Sequence, residues 1–356
     1  MTLVSVDDLV IPASVEEPGA EAFIEMTRVR NRISVEATGG YDLAVAPDEL
    51  LPGWLDQRFA PKRLLVARVG GRIVGRAVAE LPAAGSPAAW ITVEVLSELR
   101  HRGIGDALYA AVERLAVEAG ASVLQASVLQ GEGESVERIT APTGFGSVPR
   151  DSETTRFLLA RGFGLEQVTR LSRLELPADR GDLRRRFVRA TAMSRDYHLA
   201  YWSGATPDEW LAHVARLRGR LATDAPQAGL EPDLSPWTPE RVRAADEAAA
   251  ASPVMPLTVL AVHSPSGTAA GYTTLAVPRQ AARPVTQGDT IVLQEHRGHR
   301  LGVTLKVANL LRLGETAPGH PAVVTFTAEE NRHMLAVNDS LGFLPWGYEG
   351  AWKRVL

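Results

Sequence analysis

Hydrophobic positions along the chain fall into two periods, and the whole succession runs twice. In residues 18–39, Phe23, Met26, Val29 and Ile33 recur every three or four positions, so they share one helix face. Residues 8–14 before it are expected as a first strand, and Ala46-Pro-Asp-Glu-Leu50 after it opens a second helix. Residues 63–69 and 72–81 alternate around Gly70-Gly71, the pattern of a hairpin. Residues 90–96 make the next strand. Beyond a glycine-bearing turn, Ala107, Leu108, Ala111, Val112, Leu115 and Ala116 keep helical spacing until Gly120 ends the run. Residues 121–129 read as a strand, 130–150 as a Gly-, Glu- and Pro-rich loop, 151–161 as a short helix before Gly162-Phe163, and 165–176 as a strand.

The second half repeats this plan. Residues 177–186 are polar and charged and are expected to form a linker. A strand at 197–202 follows. Thr206-Pro-Asp-Glu209 carries a cap, a first-turn proline and a capping-box glutamate, and Thr238-Pro-Glu240 opens another helix in the same style. Strands are expected at 257–263, 270–277 and 290–293. A helix with Val303, Val307, Leu310 and Leu311 on one face comes next, then a strand at 321–327, a helix at 329–340 and, after Leu341-Gly342-Phe343, a last strand. Trp346, Tyr348 and Trp352 alternate along it and suit packing better than a substrate cage.

The stretch that carries chemistry is Arg100-His-Arg-Gly-Ile-Gly105, between a strand and a helix. Its glycines permit a tight turn and a close approach of backbone to ligand. The free N–H groups of the helix start, at the positive end of the helix dipole, suit a phosphate. The pattern is neither a dinucleotide fingerprint nor a nucleoside-triphosphate loop. It resembles the acetyl-CoA motif of the GNAT superfamily of acetyltransferases. Arg297 and Gly302 stand 197 positions after Arg100 and Gly105, so the motif occurs twice. The resemblance spans nearly the whole chain and implies an α/β fold with mixed sheets, in two consecutive GNAT domains over 1–178 and 179–356.

The resemblance further implies acetyl-CoA as donor and a primary amine as acceptor. In the first domain it assigns the pantetheine arm to Val95 and Leu96 and the pyrophosphate to Arg100, His101, Arg102, Gly103, Ile104 and Gly105. In the second it assigns Val292 and Leu293, then Arg297, Gly298, His299, Arg300, Leu301 and Gly302, with Asn331 at the last helix as a further contact. Arg300 departs from the pattern, because it replaces the inner glycine. A residue with a Cβ makes that turn only with a negative φ or with strain. The family's usual acid, a tyrosine three residues before the Leu of Leu-Gly-Phe, is Leu158 in one half and Asn338 in the other. Base candidates are Glu94, between two apolar strand neighbours, and its counterpart Asp289.

Composition narrows the field. The formal net charge of −4 gives no pull toward nucleic acid or an anionic membrane. Absence of cysteine removes disulfides, thiolate metal sites and a thiol nucleophile. His296, His299, His320 and His333 match no zinc spacing, so no metal is expected. Residues 1–12 hold Asp7 and Asp8 and no long apolar run, so neither a signal peptide nor a membrane span is expected, and a cytoplasmic enzyme, monomer or homodimer, is. Two other readings stay open: a non-catalytic acyl-CoA binding or sensing protein, and an acyltransferase using aminoacyl-tRNA. Acceptor choice is expected to lie in loops 130–150 and 223–239.

Overall fold

The computed structural model describes residues 4–82, 86–130, 137–233 and 235–356. In the first half, strand β1 (Val4–Asp8) is followed by helices α1 (Glu21–Thr38) and α2 (Pro47–Leu55). Strands β2 (Lys62–Val69), β3 (Arg72–Glu80) and β4 (Ala88–Val95) lead to helix α3 (Ile104–Glu118) and strand β5 (Val123–Gln130). Phe23, Met26, Val29 and Ile33 of α1 are all buried, as their spacing requires. Each contributes roughly 1.5–3 kcal/mol by leaving water. Short strands β6 (Arg138–Thr140) and β7 (Ser147–Pro149), helix α4 (Glu153–Leu159) and strand β8 (Gly164–Glu175) complete this half.

The second half opens with helix α5 (Arg180–Thr191), strand β9 (Tyr197–Ser203) and helices α6 (Leu211–Asp224) and α7 (Pro239–Ala250). Strands β10 (Val254–His263), β11 (Thr268–Pro278) and β12 (Val285–Val292) precede helix α8 (Leu301–Thr316). Strand β13 (Ala322–Ala328), helix α9 (Arg332–Ser340) and strand β14 (Leu344–Val355) end the chain. Thr238 caps α7 by accepting the Arg241 N–H.

Twelve strands form one sheet in the order β1-β2-β3-β4-β5-β14-β8-β13-β12-β11-β10-β9. The last strand of each half has crossed over. β14 pairs antiparallel with β5 of the first half, from Tyr348↔Gln130 to Val355↔Val123. β8 pairs antiparallel with β13 of the second, from Ala322↔Glu175 to Ala328↔Thr169. The two crossed strands also pair with each other, so backbone hydrogen bonds run unbroken through the centre. Trp352 of β14 is fully buried in the core of the first half.

Five local expectations give way. The first strand is Val4–Asp8 rather than 8–14, because Val4 to Asp8 find partners on β2 while Pro12 lies beyond them. The linker expected at 177–186 is the start of α5, whose cap Asp179 accepts from the N–H groups of Gly181 and Asp182. Loop 130–150 contains the β6–β7 ribbon; its residues 131–136, and Leu234 of loop 223–239, lie outside the described residues. Thr206 does not cap a helix: its N–H goes to Asp246 at 2.8 Å, and α6 starts at Leu211 after a 3-10 turn. The last helix starts at Arg332 rather than 329, because Asn331 caps it.

One buried charge tests the packing between helices. Lys306 of α8 is 2 % exposed, and its Nζ donates to Asn338 Oδ1 at 2.9 Å. Burial brings its pKa down to about 7. The unfolded chain therefore holds more protons than the folded one between about pH 7 and 10.5, and stability from this group rises with pH across that window. Below pH 7 the burial penalty is at its full size.

Two predictions follow from these contacts. A chain ending at Phe343, without β14, loses the strand that joins β5 to β8. Calorimetry should show no native transition for the first half, and a preserved one would contradict the continuous-sheet account. In urea unfolding at a series of pH values, Lys306→Met should differ from wild type by a gap that narrows as pH rises from 7, by roughly 1.4 kcal/mol per pH unit. A gap independent of pH would place the amine outside the core.

Candidate active site

Each half contains a wedge where two parallel strands part. β4 and β5 pair from Ala88↔Val123 to Ile91↔Ala126, and β4 continues to Val95 without a partner on that side. β12 and β13 pair only at Val285↔Val323 and Thr286↔Val324, so their wedge opens from Gln287 onward and is longer. A glycine presses the next strand against each wedge strand. A Cβ at Gly75 would meet Glu94 O at 2.7 Å, and one at Gly271 would meet Ile291 O at 2.4 Å. Unpartnered strand backbone along such an opening suits an extended ligand rich in amides.

The two motif loops have the same backbone. Left-handed φ values fall at His101 (59°) and Gly103 (77°) in the first, and at Gly298 (88°) and Arg300 (55°) in the second. The glycine and the bulky residue have exchanged places. Arg300 thus makes its turn with positive φ and accepts strain of about 1–2 kcal/mol. Arg100 Nε donates to Val95 O at 3.1 Å, and Arg297 Nε donates to Val292 O at 3.2 Å. These arginines fasten each loop to its wedge strand. Ile104 and Leu301 are buried and anchor the helix starts. Val95 is buried and Val292 is half-buried. Leu96 and Leu293 commit their N–H groups to Val74 O and Ala270 O, which leaves no amide there for a ligand arm.

The mouths of the loops differ. Glu153 of α4 accepts from Arg100 Nη1 at 2.9 Å and meets His101 Nε2 at 2.8 Å. His101 and Arg100 hold its carboxyl below the ordinary range. This internal carboxylate pairs with the loop's Arg100 and His101, and its side chain is half exposed. Arg102 is exposed and donates to Glu98 O of its own turn. Above Gly105, the Phe157 ring would stand 3.2 Å from a Cβ, and Arg161 lies 3.4 Å over that ring. In the second loop a Cβ at Gly298 or Gly302 would meet nothing within 4 Å, and the carboxylate facing it is more distant: Asp224 Oδ2 of α6 lies 3.7 Å from Arg297 Nη2. Beside it, Tyr197, His263, His296 and His299 form a ring cluster, with Tyr197 Oη 3.0 Å from His296 Nδ1. Burial, reinforced by His263, lowers the His296 pKa.

On the face of the sheet away from the loop helices, the base candidates have opposite surroundings. Glu94 Oε2 accepts from Arg76 Nε at 2.5 Å, so a cation neutralises this carboxylate. Asp289 Oδ2 accepts from the Tyr272 hydroxyl at 2.5 Å, leaving Oδ1 for other partners. Tyr272 is buried, and burial together with the Asp289 charge raises its pKa well above the ordinary value. It therefore stays a hydrogen-bond donor. Asp289 lies on a β-bulge in the β11–β12 ladder, held by Gln287 Nε2 donating to Thr274 O at 2.6 Å and to Thr273 Oγ1 at 3.0 Å. No register shift interrupts the β3–β4 ladder.

Several residues have structural roles. Asn331 caps α9 by accepting the Met334 N–H at 3.2 Å. Leu158 is core, and Asn338, fully buried, donates to Thr327 Oγ1 and accepts from Lys306. Tyr272, Arg218, Lys306 and Glu349 were not singled out by the motif. Glu349 comes from the crossed strand β14, and burial raises its carboxyl pKa. A hydrogen-bonding residue facing the wedge strand one step after Gly271 was the available signal for Tyr272, since Arg76 follows Gly75 in the same way. Among the described residues, no group of three His, Asp or Glu is arranged to hold a metal, and no helix is long and apolar enough to cross a membrane.

Comparison with known proteins agrees with this geometry. The acetyltransferase (GNAT) family profile matches residues 30–137. A tandem GNAT protein from the clavulanic acid biosynthesis pathway superposes with a TM-score of 0.75 at 25% identity, covering 99% of this chain and 98% of its own. A GCN5-related N-acetyltransferase from Sphaerobacter thermophilus shares the fold, with a TM-score of 0.60, 13% identity and coverage of 99% and 95%. No curated protein matches the sequence. The doubled wedge, the doubled loop and these likenesses together support acyl transfer from acyl-CoA in general: residues 30–137 match the GNAT family, and the chain over its length is similar to a tandem GNAT protein.

Proposed function

We propose that this protein transfers an acetyl or other short acyl group from acyl-CoA to a primary amine, and that the second half performs the chemistry. The observation that carries this reading is the Tyr272–Asp289 pair at the bulge of an open wedge. Residues 1–178 and 179–356 are taken as the two repeat units. In this reading the first half holds or stabilises: its loop already pairs with the Glu153 carboxylate, and Arg76 neutralises Glu94 on its acceptor side. A cytoplasmic location, where acyl-CoA is plentiful, fits the proposal.

The donor's pyrophosphate would meet the N–H groups at the start of α8 and the side chains of Arg297, His299 and Arg300, with Gly302 leaving room for it. Free backbone N–H groups of β12 would polarise the thioester carbonyl. Asp289 Oδ1 takes the proton from the acceptor ammonium, directly or through water, while Tyr272 fixes the carboxylate. The freed amine forms the new C–N bond, the C–S bond breaks, and the sulfur takes its proton from solvent. Asn338, sealed in the core, does not supply it.

Acetyl-CoA turnover with a panel of primary amines tests the assignment. Asp289→Asn should lower turnover on the order of 100- to 10,000-fold, while Glu94→Gln should stay within a few-fold of wild type. The reverse pattern would move the chemistry to the first half.

A further inference from the structure

Helix α5 carries a charge that the rest of the chain does not. Residues 180–195 hold six arginines against one aspartate, in a protein whose formal net charge is −4. The helix buries Leu183 and Ala190 on one side. At about 100° per residue, Arg184, Arg185, Val188 and Arg189 fall together on the other, and all four are exposed. Val188 is 66 % exposed, and Met193, in the turn after the helix, is 56 % exposed. Arg180 pairs with Glu315, and Arg185 and Arg186 pair with Asp182. Arg184, Arg189 and Arg195 have no ion-pair or hydrogen-bond partner among the described residues.

What such a face binds follows from its parts. Unpaired guanidinium groups match carboxylates or phosphates. Exposed apolar side chains set among arginines match a protein interface, where Met and Arg are enriched. A nucleic-acid strand would need rings on which to stack its bases, and that face of α5 has none. A membrane would need an apolar stripe, and the stripe of α5 is already spent on α8: Leu183 joins Val307 and Leu310 in one core cluster, with Phe187 packed against it. The face therefore suits an acidic protein surface with an apolar residue at its centre. A contact the size of one helix is small, the kind that forms and parts readily. Its position says what the partner brings. Thr191 and Ser194, at the end of α5, share a cavity of about 280 Å³ with Tyr197, Tyr201 and with Leu301 and Thr304 at the start of α8. A protein seated on α5 thus borders the second motif loop, where the donor binds. Asp289 and Tyr272 lie on the opposite face of the sheet, with α6.

We propose that the second half accepts its acyl group from an acidic carrier protein that docks on α5 and bears the acyl thioester on a phosphopantetheine arm. This inference rests on the second half being the chemical one, and it adds the form of the donor. The pantetheine thioester is the same in acyl-CoA and in such a carrier; the difference is whether its phosphate is joined to a nucleotide or to a serine of the protein. The arm enters the wedge along β12, and its phosphate meets the start of α8 with Arg297, His299 and Arg300. Carboxylates of the carrier pair with Arg184, Arg189 and Arg195, and an apolar side chain between them covers Val188 and Met193. The transfer balances as it does with acyl-CoA: the amine gives its proton to Asp289, the C–N bond forms, the C–S bond breaks, and the carrier leaves with a thiol protonated from solvent. Charge complementarity of this kind speeds encounter and weakens as salt is raised.

The experiment uses the full chain, a panel of primary amines and two donors: acetyl-CoA, and an acidic acyl carrier protein loaded with acetyl-phosphopantetheine. Acetyl transfer should occur from the carrier, at a rate that falls as salt is raised. The double variant Arg184→Glu, Arg189→Glu should lower kcat/KM for the carrier on the order of 10- to 100-fold and leave acetyl-CoA turnover within a few-fold of wild type. Val188→Asp should act in the same sense, and an unchanged thermal transition shows that each variant is folded. No transfer from the carrier where acetyl-CoA reacts, or equal carrier rates in wild type and double variant, would overturn the inference while leaving the transferase reading intact. If neither donor reacts, fluorescence anisotropy of the labelled carrier decides. Binding by wild type and not by the double variant would uphold the docking face and defeat the transferase reading. No binding by wild type, or displacement of the carrier by a short RNA that binds more tightly, would overturn the protein partner.

Discussion

Between Leu344 and Lys353, β14 runs antiparallel to β8, and every other strand lies outward from that pair. Because each of these strands belongs to the opposite half of the chain, neither half closes its sheet alone. The first half needs β14 against β5, and the second needs β8 against β13. Cross-half ion pairs reinforce the seam: Arg170 of β8 grips Glu329 at 2.7 Å, and Arg283 from the β11–β12 connection pairs with Glu49 of α2. The Arg170–Glu329 pair is well buried and bidentate, the geometry in which an ion pair has structural weight rather than being a surface ornament.

A shared sheet also explains how the halves could diverge. Each retains the wedge, the glycine at its tip and the arginine fastening the loop, because these are backbone requirements. What differs is what lies on them. In the first half, α4 rests on the loop and Arg76 occupies Glu94. In the second, Asp224 stands 3.7 Å from Arg297 of the loop, and a bulge turns Asp289 toward Tyr272. Under the proposed assignment, a half without catalysis would still be retained, since its strands complete the sheet of the other.

Most of the element order was legible in the sequence, and the reasons are local. α1 announces itself through four apolar residues at helical spacing, and the β2–β3 hairpin through Gly70-Gly71. The α5 start was not legible, because Asp179 caps a stretch whose charge and glycine look like a linker. The crossing of β8 and β14 could not be read from pattern at all. The two strands follow the same Gly-Phe step and bear similar alternation, so nothing local says which antiparallel partner each will choose. At the site, the loops were legible and the side-chain partners were not. Glu94 and Asp289 look alike in sequence. Only the strand register shows that one faces an arginine and the other a tyrosine, and that Arg300 takes the left-handed turn a glycine takes elsewhere.

The central claim is that the open second loop receives the donor used in catalysis. Calorimetric titration with acetyl-CoA of Gly302→Glu, a site where a side chain meets no neighbour, tests it directly. The result predicted is loss of a binding site together with loss of turnover, with Arg102→Glu in the first loop leaving turnover in place. Undiminished turnover in Gly302→Glu would contradict the account and return the chemistry to the first half.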